Sequence, residues 1–361
     1  MSNQTKHPDV ARAEALLEVG RPEEARALLY TYLNVHQHDA VAWTLTAACF
    51  IDMRKWGGAL NTAEVALRVN PEHAMAHIHR STALLKLGRA REAVAAAREA
   101  GRLAPHHWLP HAALSHALRG AGAFPEALAA GEESIRLAPE QTVPYFARYF
   151  ALLALGERER AMQTMHEVLR IDPGNANAHN NLAADRLDDK GGDLFAATED
   201  LAIALAHNPT SQWSRHNLEV IAYRMLRRAR WLALGCLLVA LAAMVVADAA
   251  QEEKLTRLPL PYQLAALAVM AGGWAVWAAR TYLKLPPRMR APMRGLPRRS
   301  YPAGAMAFGA VWCTLCAVLL VVTPLLDTWA FAAFLHAGWG VLLLSAASAE
   351  REVRRRAQAV R

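Results

Sequence analysis

The sequence predicts an all-α protein: an α-solenoid of six helical hairpins followed by a four-helix transmembrane bundle. Three observations predict it. Pro71, Pro105, Pro139, Pro173 and Pro209 recur at intervals of 34, 34, 34 and 36 residues, and a fixed period of this size marks stacked supersecondary units. Gly20, Gly88, Gly122 and Gly156 keep the same phase, each followed five residues later by an alanine (Ala25, Ala93, Ala127, Ala161). Finally, residues 231–247, 262–279, 303–323 and 328–347 contain no Asp, Glu, Lys or Arg.

The first two ladders describe one unit. A glycine frees the backbone to turn between two helices, and a small alanine lets the helices approach closely. The later proline stops the second helix and sends the chain into the next unit. Pro22, Pro110, Pro125 and Pro144 fall where a helix should be in its first turn, which tolerates proline. One member of the glycine ladder is missing, at Arg54, and the first unit has Gln37 where its closing proline would stand. These residues resemble the tetratricopeptide repeat family, whose 34-residue unit is a helix–turn–helix with this Gly, Ala and Pro spacing. The resemblance covers residues 6–211 as six units, with an insertion around Asp189–Gly192 in the last. The family's tryptophan near the start of the unit stands as Trp43, and His77, His111, Tyr145 and His179 take that place later. The resulting organisation is a repeat domain over 1–211, a capping or connecting helix over 212–230, and a transmembrane domain over 231–347. A basic loop at 280–302 interrupts that domain, and a basic tail at 348–361 follows it.

Helices rise about 1.5 Å per residue, so runs of roughly 17 to 20 residues cross a hydrocarbon core of about 30 Å. An amphipathic helix of a soluble domain would need a polar face, and these runs have none. Pro324 and Asp327 are expected to form a tight turn between the last two spans. Charge sets the orientation. Arg224, Arg227, Arg228 and Arg230 precede the first span, and 280–302 carries seven basic residues and no acid. The segment after the fourth span holds five arginines against Glu350 and Glu352, whereas 248–261 holds three acids and two bases. All three basic segments fall on one side, which predicts that the repeats, the long loop and both termini face the cytoplasm. Arg227, Arg228, Arg288, Arg290, Arg298 and Arg299 are the candidates for contact with anionic lipid headgroups. An Ala- and Arg-heavy composition suggests a bacterial plasma (inner) membrane. The first residues show no apolar stretch of signal-peptide type.

The formal net charge of +8 is therefore no nucleic-acid signal. The three membrane-flanking segments carry +4, +7 and +3, while residues 1–223 hold 22 basic and 26 acidic residues. No basic stripe runs along the repeats, so no nucleic-acid partner is expected. Cys49, Cys236, Cys313 and Cys316 form no disulfide framework. His73 with His77, and His107 with His111, stand at i and i+4, a spacing that suits two metal ligands on one helix face. No Asp, Glu or Cys is interleaved to complete such a site, and the repeat frame offers a packing role instead, so no metal is expected. His336 is the ionisable residue inside a span, either functional or a helix contact to Thr314 or a backbone carbonyl. No phosphate loop, nucleophile elbow or zinc-protease motif occurs, and neither a catalytic residue, an enzyme activity nor a cofactor is expected.

In the resembled family the first helix of each unit lines a concave groove. Matching this chain to that pattern places Thr44, Ile78, Thr82, Lys86, His116, Arg119, Phe146, Phe150 and Asn180 in it. A groove with apolar and aromatic walls suits an extended peptide or an amphipathic helix. The positions where some family members clamp a terminal carboxylate hold Ile78, Thr82, Ala112 and His116, which is not that clamp. The expectation is a membrane-anchored protein-interaction adaptor that recruits a protein partner to the cytoplasmic face. The alternative is a component of a transport or export system in which the repeats recognise or regulate. A homo-oligomer formed through small residues such as Gly304, Ala307, Ala333 and Ala337 is compatible with both.

Overall fold

The computed structural model describes residues 7–188, 192–249, 258–323 and 328–360. Helices make up its regular structure, and no strand occurs among the described residues. The chain divides into two compact units, Met1–Pro173 and Gly174–Arg361.

The first unit is five hairpins: α1 (Pro8–Glu18) with α2 (Pro22–Leu33), α3 (Ala40–Asp52) with α4 (Trp56–Val69), α5 (Ala74–Lys86) with α6 (Ala90–Leu103), α7 (Trp108–Gly120) with α8 (Phe124–Leu137), and α9 (Thr142–Ala154) with α10 (Arg158–Ile171). Each intra-hairpin turn is a Schellman cap. In the third hairpin the Gly88 and Arg89 amides donate to Leu85 and Leu84 carbonyls at 3.1 and 2.9 Å. The capping glycines have φ between +72° and +81°, and Arg54 fills the missing rung with the same left-handed backbone, φ +55°. The Arg54 and Lys55 amides close the same pair of bonds, to Ile51 and Phe50 at 2.9 and 2.8 Å. The ladder alanines Ala25, Ala59, Ala93, Ala127 and Ala161 are wholly buried, as a close crossing of two helices demands. Gly131 serves the next interface: a Cβ there would lie 3.0 Å from the Arg148 amide nitrogen of α9.

The second unit begins with a sixth hairpin, α11 (Ala176–Asp188) and α12 (Leu194–His207). Then follow α13 (Gln212–Ala249), α14 (Leu260–Lys284), α15 (Pro287–Arg299), α16 (Tyr301–Val322) and α17 (Thr328–Val360). Residues 189–191 of the expected insertion and the expected turn between Pro324 and Asp327 lie outside the described residues. Two cores stack along this unit. Leu187, Leu194 and Leu201 pack with Leu218, Ile221 and Met225 of α13 and with Met289 and Leu296 of α15. Further along α13, Ala233, Cys236, Leu237 and Ala240 pack with Ala266 and Met270 of α14, Ala310, Cys313 and Ala317 of α16, and Leu342 of α17. Gly309 makes the α16–α17 crossing possible, since a Cβ there would meet the Ser345 Cβ at 2.9 Å.

Three boundaries differ from the sequence reading. The connecting segment 212–230 and the first apolar run form one uninterrupted helix of 38 residues, because nothing between Arg230 and Trp231 breaks helical geometry. The 280–302 segment, read as a loop, contains α15 despite internal Pro292 and Pro297. Met289 and Leu296 bury one face of it while arginines line the other, and that burial offsets the two missing amide bonds. The basic tail continues α17 as helix to Val360. Among the described residues α13, α14 and α16 are long and apolar enough to cross a membrane.

Candidate functional site

The first helix of each hairpin carries a repeating set of side chains, and in the first unit these sort into rows. Thr44, Ile78 and Ala112 form the innermost row and are buried. The Thr44 hydroxyl donates to the Ala40 carbonyl of its own helix at 2.7 Å. Thr44 and Ile78, expected on the groove wall, are therefore packing residues. They point at the neighbouring helix because they lie one turn before the exposed row. The next row is Ala48, Thr82, His116 and Phe150, and the one after it Ile51, Leu85, Arg119 and Leu153. These are half-buried until the fifth hairpin, where Phe150 and Leu153 are 37% and 39% exposed. Phe146, one turn before Phe150, is half-buried.

Four of the expected groove residues converge across α5, α7 and α9. The Arg119 guanidinium carbon lies 5.6 Å from the centroid of the Phe150 ring, a cation–π distance. The His116 ring stands 6.2 Å from the same centroid. Lys86 is exposed, with its Nζ 5.9 Å from the Trp56 ring. Burial pushes the His116 ring down to about 4, with the charges of Arg119 and Lys86 adding to the effect; at neutral pH the ring is uncharged. The buried Arg119 Nε has no hydrogen-bond partner among the described residues, which leaves a donor facing an apolar, cationic patch. Asn180 belongs to the other unit, and its Oδ1 accepts from Ser214 Oγ and Asn217 Nδ2, both at 3.1 Å. It knits α11 to α13.

The histidine pairs at i, i+4 have a repeat-frame explanation. His73 and His107 are helix N-caps, their Nδ1 atoms accepting from Ala76 N at 3.3 Å and Leu109 N at 3.2 Å. They stand in phase with Asp39, whose carboxylate caps α3 through Val41 N and Ala42 N. His77 and His111 donate from Nε2 to the carbonyls of Pro71 and Pro105 at 2.8 and 3.0 Å. Trp43 Nε1 and the Tyr145 hydroxyl donate in the same way to Gln37 and Pro139, both at 2.9 Å. The ring of each of the second to fifth hairpins thus ties its helix to the carbonyl that closed the hairpin before. Sequence reasoning missed this tie, although a constant six-residue separation of ring and Pro was its signal.

Of the arginines expected at lipid headgroups, Arg227, Arg228, Arg288, Arg298 and Arg299 are exposed. Arg290 is half-buried: its Nε donates to the Leu285 carbonyl at 3.2 Å and its guanidinium lies 4.5 Å from the Tyr282 ring. Gly304, expected at an oligomer contact, is engaged within the chain, since a Cβ there would meet the Pro297 carbonyl oxygen at 2.5 Å. The His336 ring is on an exposed face of α17, 5.7 Å from Trp339, and the Thr314 hydroxyl bonds its own helix at Ala310. Cys49 is buried, and burial pushes its thiol up to about 12, far from the range of a reactive thiolate.

The hairpin order, the Schellman turns and the alanine crossings define a tetratricopeptide-like helical array. Solved structures are similar to it. A tetratricopeptide repeat protein from Parabacteroides merdae ATCC 43184 matches with a TM-score of 0.52 and 16% identity, over 60% of this chain and 86% of that one. PilW, a widely conserved type IV pilus biogenesis factor, matches at 0.47 and 18%, over 59% and 98%. MamA from Desulfovibrio magneticus RS-1 matches at 0.39 and 18%, over 46% and 94%. No protein-family model matches the chain, and no curated protein does. The first of these likenesses carries the fold.

Proposed function

We propose that this chain is a membrane-anchored interaction scaffold whose first unit captures a protein segment on the face formed by Lys86, His116, Arg119 and Phe150. The observation that carries the reading is that cluster: two exposed apolar side chains, Phe150 and Leu153, beside a buried guanidinium nitrogen without a partner among the described residues. An apolar anchor with an acceptor (a carbonyl or a carboxylate) one turn away would satisfy both. The three long apolar helices support anchoring. The arginine asymmetry supports a cytoplasmic location for the repeats and for both ends of the chain. Confinement to a surface would raise the effective concentration of whatever is captured.

Site-specific photo-crosslinking in intact cells tests it, with the probe at Phe150 and a control at Glu133, a half-buried position of α8 paired with Arg136. The expected result is a discrete protein adduct from Phe150 alone. Equal adducts from both positions, or none from an abundant folded chain, would sink the reading. A reporter fused after Arg361 should be active only on the cytoplasmic side, and the opposite result would reverse the orientation.

A further inference from the structure

A cavity of about 570 Å³ lies where α13, α14 and α15 meet. Met225 and Leu226 of α13 and Trp277 and Ala278 of α14 give it apolar walls. Its rim carries Tyr282, Arg290 and Arg294. Both guanidinium groups converge on one ring, 4.5 and 4.9 Å from the Tyr282 centroid. The α15 segment contains no acid, and neither Arg290 nor Arg294 has a carboxylate partner among the described residues. Two like charges held side by side repel, and this arrangement is relieved by an anion between them. The cavity also lies at the end of the α14 apolar run, beside Trp277 and Tyr282, residue types that concentrate at the membrane–water boundary.

We infer that this cavity is a site for one anionic phospholipid, its phosphate between Arg290 and Arg294 and an acyl chain along Met225, Leu226 and Ala278. The choice of occupant follows from the two halves of the cavity. A soluble anion would satisfy the arginines and leave the apolar volume empty, and a zwitterionic lipid would leave the excess charge uncompensated. Basic pockets between spanning helices on the cytoplasmic side are suited to this chemistry. The bound lipid would join α15 to α13 and α14, so the inference rests on the membrane reading proposed above.

The test is native mass spectrometry of the full chain released from detergent after equilibration with dioleoyl phosphatidylglycerol or dioleoyl phosphatidylcholine. One phosphatidylglycerol should be retained with at least about tenfold preference. Arg294→Gln should abolish that preference; it is chosen because Arg290 also caps α14 through the Leu285 carbonyl. Ala278→Trp, which fills the cavity without touching charge, should lower retention of both lipids. Arg351→Gln with Arg355→Gln, exposed arginines of α17, should leave retention within twofold. Equal retention of the two lipids, or an equal loss in that control pair, overturns the site in favour of diffuse surface charge. Competition by inorganic phosphate alone at millimolar concentration would overturn the acyl half of the proposal. A chain recovered in the soluble fraction after carbonate washing of membranes would instead overturn the membrane reading.

Discussion

The fifth and sixth hairpins share a sequence pattern and use it differently. In α9 the repeat ring, Tyr145, reaches the Pro139 carbonyl, and the hairpin stacks through alanines and Gly131. In α11 the equivalent ring, His179, engages Asp200 of α12 at 3.0 Å, and Asp200 also pairs with Arg186. Asn180 bonds Ser214 and Asn217, and Arg224 donates to the Leu187 carbonyl. Each hairpin carries an ion pair across its own two helices, Arg148 to Glu167 in the fifth and Arg186 to Asp200 in the sixth, but the sixth adds side-chain hydrogen bonds to α13 through Asn180 and Arg224. One repeat period can therefore be kept while further polar contacts are added to the packing that holds it.

The largest effect should come from removing the centre of that network. Asp200 is mostly buried, and Asp200→Ala would leave His179 and Arg186 without their carboxylate at a cost of about 3 kcal/mol. Hydrogen exchange on the full chain should show α11 and α12 losing about a hundredfold in protection, with α5 to α10 within threefold. Comparable loss throughout α5 to α10 would break the comparison, because the sixth hairpin would then be one more member of a single cooperative stack. Tyr145→Phe, which removes one tie in the fifth hairpin, should cost about 1 kcal/mol.

A change of pH probes the first unit from within. Burial pushes His79 and His116 down to about 4 from an ordinary value of 6.5. In the unfolded chain these rings protonate first as pH falls, so their contribution to stability is complete above about 6.5 and declines from there toward 4. Unfolding of the first unit should therefore become easier between pH 7 and pH 5. Replacing both rings by Gln should remove most of the slope over that range, with His73, also held down by burial, leaving a smaller one. Glu92, Glu99 and Glu133, held below the ordinary carboxylate range by hydrogen bonds from Arg89, Arg102 and Arg136, lose their pairing only at lower pH. A slope unchanged in the double variant would assign the pH response elsewhere.

The hairpin count was legible because proline, glycine and alanine each report a backbone requirement that recurs every unit. The groove rows were only half legible. The period places Thr44, Ile78, His116 and Phe150 on the first helices of their hairpins, but the buried row and the next one lie a single turn apart, about 40° around the helix, and Thr44 and Ile78 fell on the wrong side. The α15 helix was hidden because Pro292 and Pro297 signal chain breaks, and only the burial of Met289 and Leu296 overrides them. The His179–Asp200–Arg186 network joins residues up to 21 positions apart, and no local pattern announces it.

The smallest effect sharpens the rule for the stacked hairpins. Arg54 holds the left-handed cap that glycine holds in the other four hairpins of this unit, and a side chain there costs about 1 kcal/mol or slightly more. Arg54→Gly relieves that strain, offset in part by the greater freedom of glycine in the unfolded chain. Arg54 is exposed and its amide already closes the cap to Ile51, so the substitution removes little besides strain. The expected outcome is a gain of about 0.5–1 kcal/mol, read as slower exchange of the α3 and α4 amides with no change in α11 and α12. Arg54→Ala should show no such gain, since alanine keeps the Cβ that causes the strain. If alanine stabilised as much as glycine, the benefit would come from losing the arginine itself, and the backbone would not be the reason this turn repeats.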